Sequence, residues 1–178
     1  EGGEMRIRLG SLEPRTITEE FCARAAKLKY LCPHFHLSMQ SGCDATLKRM
    51  NRKYDTARFM ESCELLRKYF DDPAITTDLI TGFPGETEEE FSQTLAFIEK
   101  CAFSAMHVFP YSIRPGTKAA DMPGQIEKSE KAARSERAKR IADRMQREYL
   151  TACVGKTLGV IFETETNGES RGHAENYT

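Results

Sequence analysis

The sequence has no pair of closely spaced cysteines. Its six, Cys22, Cys32, Cys43, Cys63, Cys101 and Cys153, are scattered, and none forms a C-x-x-C pair. This excludes a local thiolate loop for a metal cluster. It also argues against a disulfide framework, which belongs to shorter, cysteine-denser secreted chains. The thiols read as free and mostly packed as small apolar groups. No apolar run approaches the length of a membrane span, and no signal peptide is visible, so the expectation is a cytoplasmic chain with no membrane partner. The sequon Asn176-Tyr177-Thr178 is then a chance match. Charge of one sign is not in excess either. Twenty-six Lys and Arg face twenty-seven Asp and Glu, a formal net charge of −1. Bulk charge thus neither demands nor forbids nucleic acid. Internal repeats and low-complexity tracts are missing. The first residue is Glu1 and the chain stops at Thr178; both ends read as cut from something longer.

What is present, over 178 residues, is a βα alternation. Met5–Leu9, Phe35–Gln40, Ala74–Gly82 and Ala105–Tyr111 read as strands. Thr16-Ile17-Thr18-Glu19 predicts a capping box, with Phe21, Ala25 and Leu28 on the buried face of the helix it opens. Phe59, Cys63 and Leu66 mark the next helix. Thr87-Glu88-Glu89-Glu90 is a second capping box, followed by Phe91, Leu95 and Ile98. Strands spaced thirty to forty residues apart, with helices between, predict a parallel sheet built from right-handed crossovers. The pattern changes after Arg114-Pro115-Gly116. Gln125 to Cys153 reads as one long charged helix with a narrow stripe of Ala138, Ile141, Met145 and Tyr149, ended by Gly155. Leu158, Val160 and Phe162 then alternate as a strand, with Asn167-Gly168 as a turn.

Several stretches have the composition of sites. Thr77 to Thr87 carries a strand into a turn at Gly82-Phe83-Pro84-Gly85 and a helix capped by Thr87. Ligands in parallel βα folds sit at such strand ends, Gly82 permits close approach, and Glu86 faces a helix N-terminus. An ordinary, well-capped strand–turn–helix junction has the same residues. His36, Ser38 and Gln40 share one strand face by parity, which needs polar partners or a polar ligand. Leu47 to Tyr54 is basic enough to hold a carboxylate or phosphate, or is a solvated face. Cys32-x-His34-x-His36 has metal-ligand residue types, but Pro33 interrupts it and no second ligand pair is near. Phe109 and Tyr111 share a face that either stacks on a ring or closes the core. The long helix is either salt-bridged surface or a basic flank for RNA.

Together these segments resemble the methylthiotransferase family of radical S-adenosylmethionine enzymes. The resemblance rests on four blocks in order. They are Arg8-Leu9-Gly10-Ser11-Leu12-Glu13-Pro14; His36-Leu37-Ser38-Met39-Gln40-Ser41-Gly42 with Leu47 to Arg52; Ile80 to Thr87; and His107-Val108-Phe109-Pro110-Tyr111-Ser112 with Arg114-Pro115-Gly116-Thr117. Ser11-Leu12-Glu13-Pro14 looks most like the branch acting on threonylcarbamoyladenosine in tRNA. Gly172-His173-Ala174-Glu175-Asn176-Tyr177 resembles the start of the small RNA-binding β-barrel called TRAM. The resemblance implies the second half of a radical-SAM (β/α) barrel, about four parallel strands, over residues 1–124. A charged helix or linker would span 125–153 and a truncated TRAM-like unit 154–178.

It further implies addition of a methylthio group to carbon 2 of the modified adenosine beside the anticodon. S-adenosylmethionine, two iron–sulfur clusters, tRNA and an electron donor would take part. Alternatives are the isopentenyladenosine branch, the ribosomal-protein aspartate branch, and a noncatalytic RNA-binding module. Family members carry a C-x-x-x-C-x-x-C motif near the first strand; this chain has none, so no cluster is expected on it and the chain alone is expected to be inactive. The cofactor cradle implied by resemblance comprises Ser38, Gln40, Arg52, Ile80, Gly82, Glu86, Phe109 and Tyr111. Glu13 is implied to face the substrate, and Arg137, Arg140 and Arg144 are candidates for RNA contact.

Overall fold

A computed structural model describes residues 5–178. Four strands, β1 (Ile7–Leu12), β2 (Leu31–Gln40), β3 (Ala74–Thr81) and β4 (Ala105–Pro110), lie side by side in chain order, each pair parallel. Between them run α1 (Glu19–Ala25), α2 (Asp44–Arg49), α3 (Thr56–Tyr69) and α4 (Glu88–Cys101). The long helix α5 (Lys128–Cys153) packs on β4, β3 and α4. A hairpin of β5 (Val160–Thr166) and β6 (Glu169–Ala174) ends the chain. This is a partial parallel βα sheet, then a helix, then a small antiparallel sheet.

Side-chain alternation divides the sheet into two faces. Phe35, Leu37 and Met39 of β2 and Ile75 and Leu79 of β3 are buried against the helices. Phe59, Cys63 and Leu66 of α3 meet them, as do Phe91 and Ile98 of α4, with Leu95 partly buried. These are the stripes that periodicity predicted. The Phe59 ring lies edge-on to those of Phe97 and Phe103, at 6.1 and 6.0 Å between centroids. The residues of opposite parity form an open inner face.

Thr87 closes the predicted capping box: its hydroxyl accepts from the Glu90 amide while the Glu90 carboxylate accepts from the Thr87 amide. The box predicted at Thr16–Glu19 does not form. Pro14–Thr16 is a short 3-10 turn, and Thr18 is the cap, accepting from the Phe21 amide at 3.1 Å. Glu19 is therefore the first helical residue, two positions short of the one that reaches back. It pairs with Lys68 instead, at 2.6 Å. The helix stops at Ala25 and leaves Leu28 exposed, so the predicted stripe ends early.

β2 begins at Leu31, four residues before the predicted start. Pro33 is tolerated because pairing with β3 begins only at His34, and the β1 register is irregular between Ile7 and Leu9. Gly155 follows α5 with φ +83°, and Asn167 and Gly168 turn the hairpin with φ of 54° and 79°. Two successive positive values suit the right-handed twist of a two-residue hairpin. Five cysteines are buried and Cys153 is half-buried, all as free thiols. No helix is long and apolar enough to cross a membrane among the described residues.

Candidate functional site

The inner face is built by parity from β2, β3 and β4. β2 contributes His34, His36, Ser38 and Gln40; β3 contributes Thr76, Asp78 and Ile80; β4 contributes Ala105, His107 and Phe109, continued by Tyr111. Register places Asp78 beside His107 and Ile80 beside Phe109. β2 ends at Gln40, whose φ of 67° turns the chain out of the strand after a register shift from Leu37.

At the C-terminal ends of the strands this face hollows into a cavity of about 510 Å³, lined by Gln40, Asp78, Ile80, Phe109, Tyr111 and Arg114, among others. Phe109 is half exposed to it, at 51 %. The Tyr111 ring packs edge-on to Phe83 at 5.4 Å, and its hydroxyl is buried without a hydrogen-bond partner among the described residues. The cavity thus offers aromatic faces, aliphatic side chains, an acid, an arginine and an amide. A flat heteroaromatic ring carrying polar groups suits that lining.

A second hollow of about 570 Å³ lies toward the other end of the strands, lined by Arg8, His34, His36, His107, Tyr149 and Tyr177 among others. His36 joins the two. Its Nδ1 is 3.0 Å from Thr76 Oγ1 and its Nε2 is 3.3 Å from Asp78 Oδ2. Tyr177 closes the second hollow. It stacks on His173 at 4.4 Å and on His34 at 5.1 Å, with the Arg8 guanidinium 4.6 Å from its ring. Burial, with help from Arg8 and His36, pushes the His34 imidazole down to about 4, so it is neutral near pH 7. Arg8 also donates to the carbonyls of Ala174 and Glu175, tying the hairpin to β1.

The structure brings Gln40, Ile80, Phe109 and Tyr111 of the sequence-derived cradle into one cavity. Ser38 lies on the same face but outside the lining. Arg52, beyond α2, is half-buried and also outside it. Glu13 is exposed and pairs with Arg15 at 3.4 Å. Gly82 and Glu86 sit under α5. The close approach that glycine permits at 82 is taken by Lys131, whose Cγ occupies the space a Cβ would need. Glu86 is buried, accepts from the Gly82 amide at 2.6 Å, and pairs with Arg134 at 3.0 Å. Burial raises its carboxyl above the usual range, opposed by the Gly82 amide and Arg134.

Of the candidate RNA contacts, Arg137 lies over the Phe91 ring at 4.9 Å and pairs with Glu88 at 2.6 Å. Arg144 pairs with Glu99. Arg140 is exposed and makes no ion pair among the described residues. Sequence reasoning missed Asp78, which shares strand parity with Ile80 and was open to the same period-two argument. It also missed Arg134, which nothing in a helix crowded with charge distinguishes. No three His, Cys, Asp or Glu side chains among the described residues converge to hold a metal ion, and Cys32, His34 and His36 form no such group.

Parallel strands in chain order, helices on one face and an open cavity at the strand ends define a ligand-binding parallel βα fold. The Radical SAM superfamily profile matches residues 2–98. Among solved structures, coproporphyrinogen III oxidase (HemN) of Escherichia coli superposes with a TM-score of 0.65 at 17 % identity, covering 79 % of this chain and 32 % of that one. Threonylcarbamoyladenosine tRNA methylthiotransferase MtaB of Thermotoga maritima is 41 % identical over 161 residues, 90 % of this chain and 37 % of its own length. The tRNA-2-methylthio-N(6)-dimethylallyladenosine synthase of Oleidesulfovibrio alaskensis is 42 % identical over 170 residues, 96 % of this chain and 37 % of its own. The chain belongs to the Radical SAM superfamily. It spans under two-fifths of the length of these two relatives.

Proposed function

We propose that this chain is the cofactor-cradling half of a tRNA methylthiotransferase barrel and that the 510 Å³ inner-face cavity takes S-adenosylmethionine. The observation that carries the reading is the convergence of Gln40, Ile80, Phe109 and Tyr111 on one hollow at the strand ends, in a chain of this family. Phe109 presents an exposed ring, Tyr111 adds a second aromatic side chain to the lining, and Gln40 supplies an amide. These groups fit a ring flanked by polar atoms; Asp78 and Arg114 add one charge of each sign. When bound, S-adenosylmethionine supplies radical chemistry and a methyl group. The protein's part is to hold and orient it and to keep water off the ring through Phe109, Ile80 and Tyr111. The described residues offer no metal-holding group, so cluster ligands are proposed to come from outside this chain.

Residues 1–124 are proposed as the barrel half, 125–153 as the helix that braces it, and 154–178 as the start of an RNA-binding β unit. The substrate is proposed to be the N6-threonylcarbamoyladenosine next to the anticodon, methylthiolated at C2. Ser11-Leu12-Glu13-Pro14 supports that branch. The dimethylallyladenosine branch is a second reading, supported by relatives of near-equal identity under that name. The test uses the full-length enzyme, reconstituted anaerobically and given tRNA bearing either modified base. Mass spectrometry of the nucleosides is expected to find the methylthio group on threonylcarbamoyladenosine. Product on the dimethylallyl base alone sinks the branch assignment, and no product on either sinks the function.

A further inference from the structure

One and a half turns of α5 grip the ends of β3 and β4. Ser135 meets Thr81 hydroxyl to hydroxyl at 2.7 Å. Lys131 lies across Gly82 and donates from Nζ to the Tyr111 carbonyl at 3.2 Å. Arg134, 3 % exposed, donates from one nitrogen to both the Glu86 carbonyl at 2.8 Å and the Glu86 carboxylate at 3.0 Å, and its other terminal nitrogen reaches Glu130. Glu86 closes the loop by accepting from the Gly82 amide at 2.6 Å.

A buried ion pair of this kind is weak evidence for stability, because desolvating both charges offsets much of their attraction. An apolar pair of the same volume would pack as well. What the pair adds is direction: a carboxylate fixed by one guanidinium sets where the Gly82 amide points. The end of β3 in turn sets Tyr111, whose amide donates to the Thr81 carbonyl at 2.8 Å. Ile80, one residue before Thr81, and Tyr111 itself line the cavity.

We propose that Arg134 is a positioning residue which, through Glu86 and Gly82, holds the β3 end and Tyr111 in the ligand-binding geometry of the inner-face cavity, and so sets its affinity for S-adenosylmethionine. The inference rests on the assignment of that cavity to S-adenosylmethionine. Arg134 touches no cavity atom itself and acts through its partners.

The test compares wild type, Arg134→Met, Arg134→Lys and the double variant Glu86→Gln/Arg134→Met in the full-length enzyme. The readouts are equilibrium dialysis of S-adenosylmethionine and hydrogen exchange across residues 80–90. Arg134→Met leaves the buried Glu86 without its guanidinium. It is expected to weaken binding about tenfold and speed exchange at the turn by a similar factor, with tRNA affinity unchanged. The double variant replaces the buried carboxyl by a neutral amide while keeping an acceptor for Gly82, and is expected to recover most of the affinity.

A folded Arg134→Met protein with wild-type affinity overturns the proposal, and so does an affinity loss without faster exchange at the turn. Should Arg134→Met fail to fold, Arg134→Lys is judged by the same two readouts. It keeps the charge and loses the fork, so an intermediate affinity is expected and wild-type values overturn the proposal. If wild type binds no S-adenosylmethionine, the cavity assignment fails separately, and unchanged exchange in Arg134→Met then overturns the positioning role alone.

Discussion

Asp78 and His36 face each other across neighbouring strands, Oδ2 to Nε2 at 3.3 Å, one lining the strand-end cavity and the other the hollow behind it. The Asp78 carboxylate is 30 % exposed, so it is reachable from the cavity while anchored from the rear. Asp78→Ala is expected to weaken S-adenosylmethionine binding about tenfold, in the range of a hydrogen bond to a charged group. A partly exposed acid contributes little to the fold, so the melting temperature should move by only a few degrees. Dialysis beside calorimetry checks this. A large fall in melting temperature with unchanged affinity would make the pair structural.

His34 gives the junction of hairpin and sheet a pH dependence. Its folded value of about 4 lies below the ordinary value of 6.5. Between those values the unfolded chain binds more protons than the folded one, so stability rises with pH across that window and is lost as pH falls through it. The contribution at pH 7 is on the order of 3 kcal/mol. Urea unfolding at pH 7 and pH 4.5 should show the fall. His34→Gln, which cannot titrate, should flatten it; an equal slope in the variant refutes the assignment.

Glu90 works in the opposite sense. Hydrogen bonding from Arg49 holds its carboxyl below the usual range, aided by the Thr87 amide. Its stabilising contribution is present above the ordinary carboxylate value and is lost as pH falls through the depressed one. Arg49→Met should reduce stability at pH 7 by about 1–2 kcal/mol and narrow the gap to wild type at pH 3. Glu90→Ala, which also opens the capping box, should cost more at pH 7. Denaturant titrations at the two pH values decide it.

The cations of α5 divide by partner. Arg140 is exposed and outside any ion pair among the described residues, whereas Arg137 and Arg144 fasten α5 to Glu88 and Glu99 on the α4 side. In the full-length enzyme, Arg140→Glu is expected to weaken tRNA binding and lower the salt slope by about 1, as loss of a phosphate contact does. Reversal at Arg137 or Arg144 should lower stability more than it changes the slope. Filter binding across a salt series measures it. An unchanged slope for Arg140→Glu returns the helix to a solvated face.

The sequence by itself determined the order and type of the elements. Phe59, Cys63 and Leu66, and Phe91 and Ile98, announce buried helix faces because the 3.6-residue period is a local property of the chain. Parity did part of this for the inner face, putting His36, Ser38 and Gln40 together on β2 and Phe109 and Tyr111 together along β4 and its continuation; which faces of different strands meet is not a local property. The caps were less legible. Thr16 and Thr18 both satisfy a capping pattern, and the 3-10 turn at Pro14–Thr16 selected the second.

Only the tertiary structure decided what meets whom. Gly82 and Glu86 carry the composition of an open ligand turn, yet Lys131 and Arg134 arrive some fifty residues later in sequence and cover them. Arg134 sits in a helix where every second or third residue is charged, and hydropathy places it on the surface. Its burial comes from the guanidinium fork finding Glu86, Glu130 and the Phe91 ring together. Periodicity fixes which way a side chain points; whether a charge there is solvated or locked away depends on a partner that no local pattern encodes.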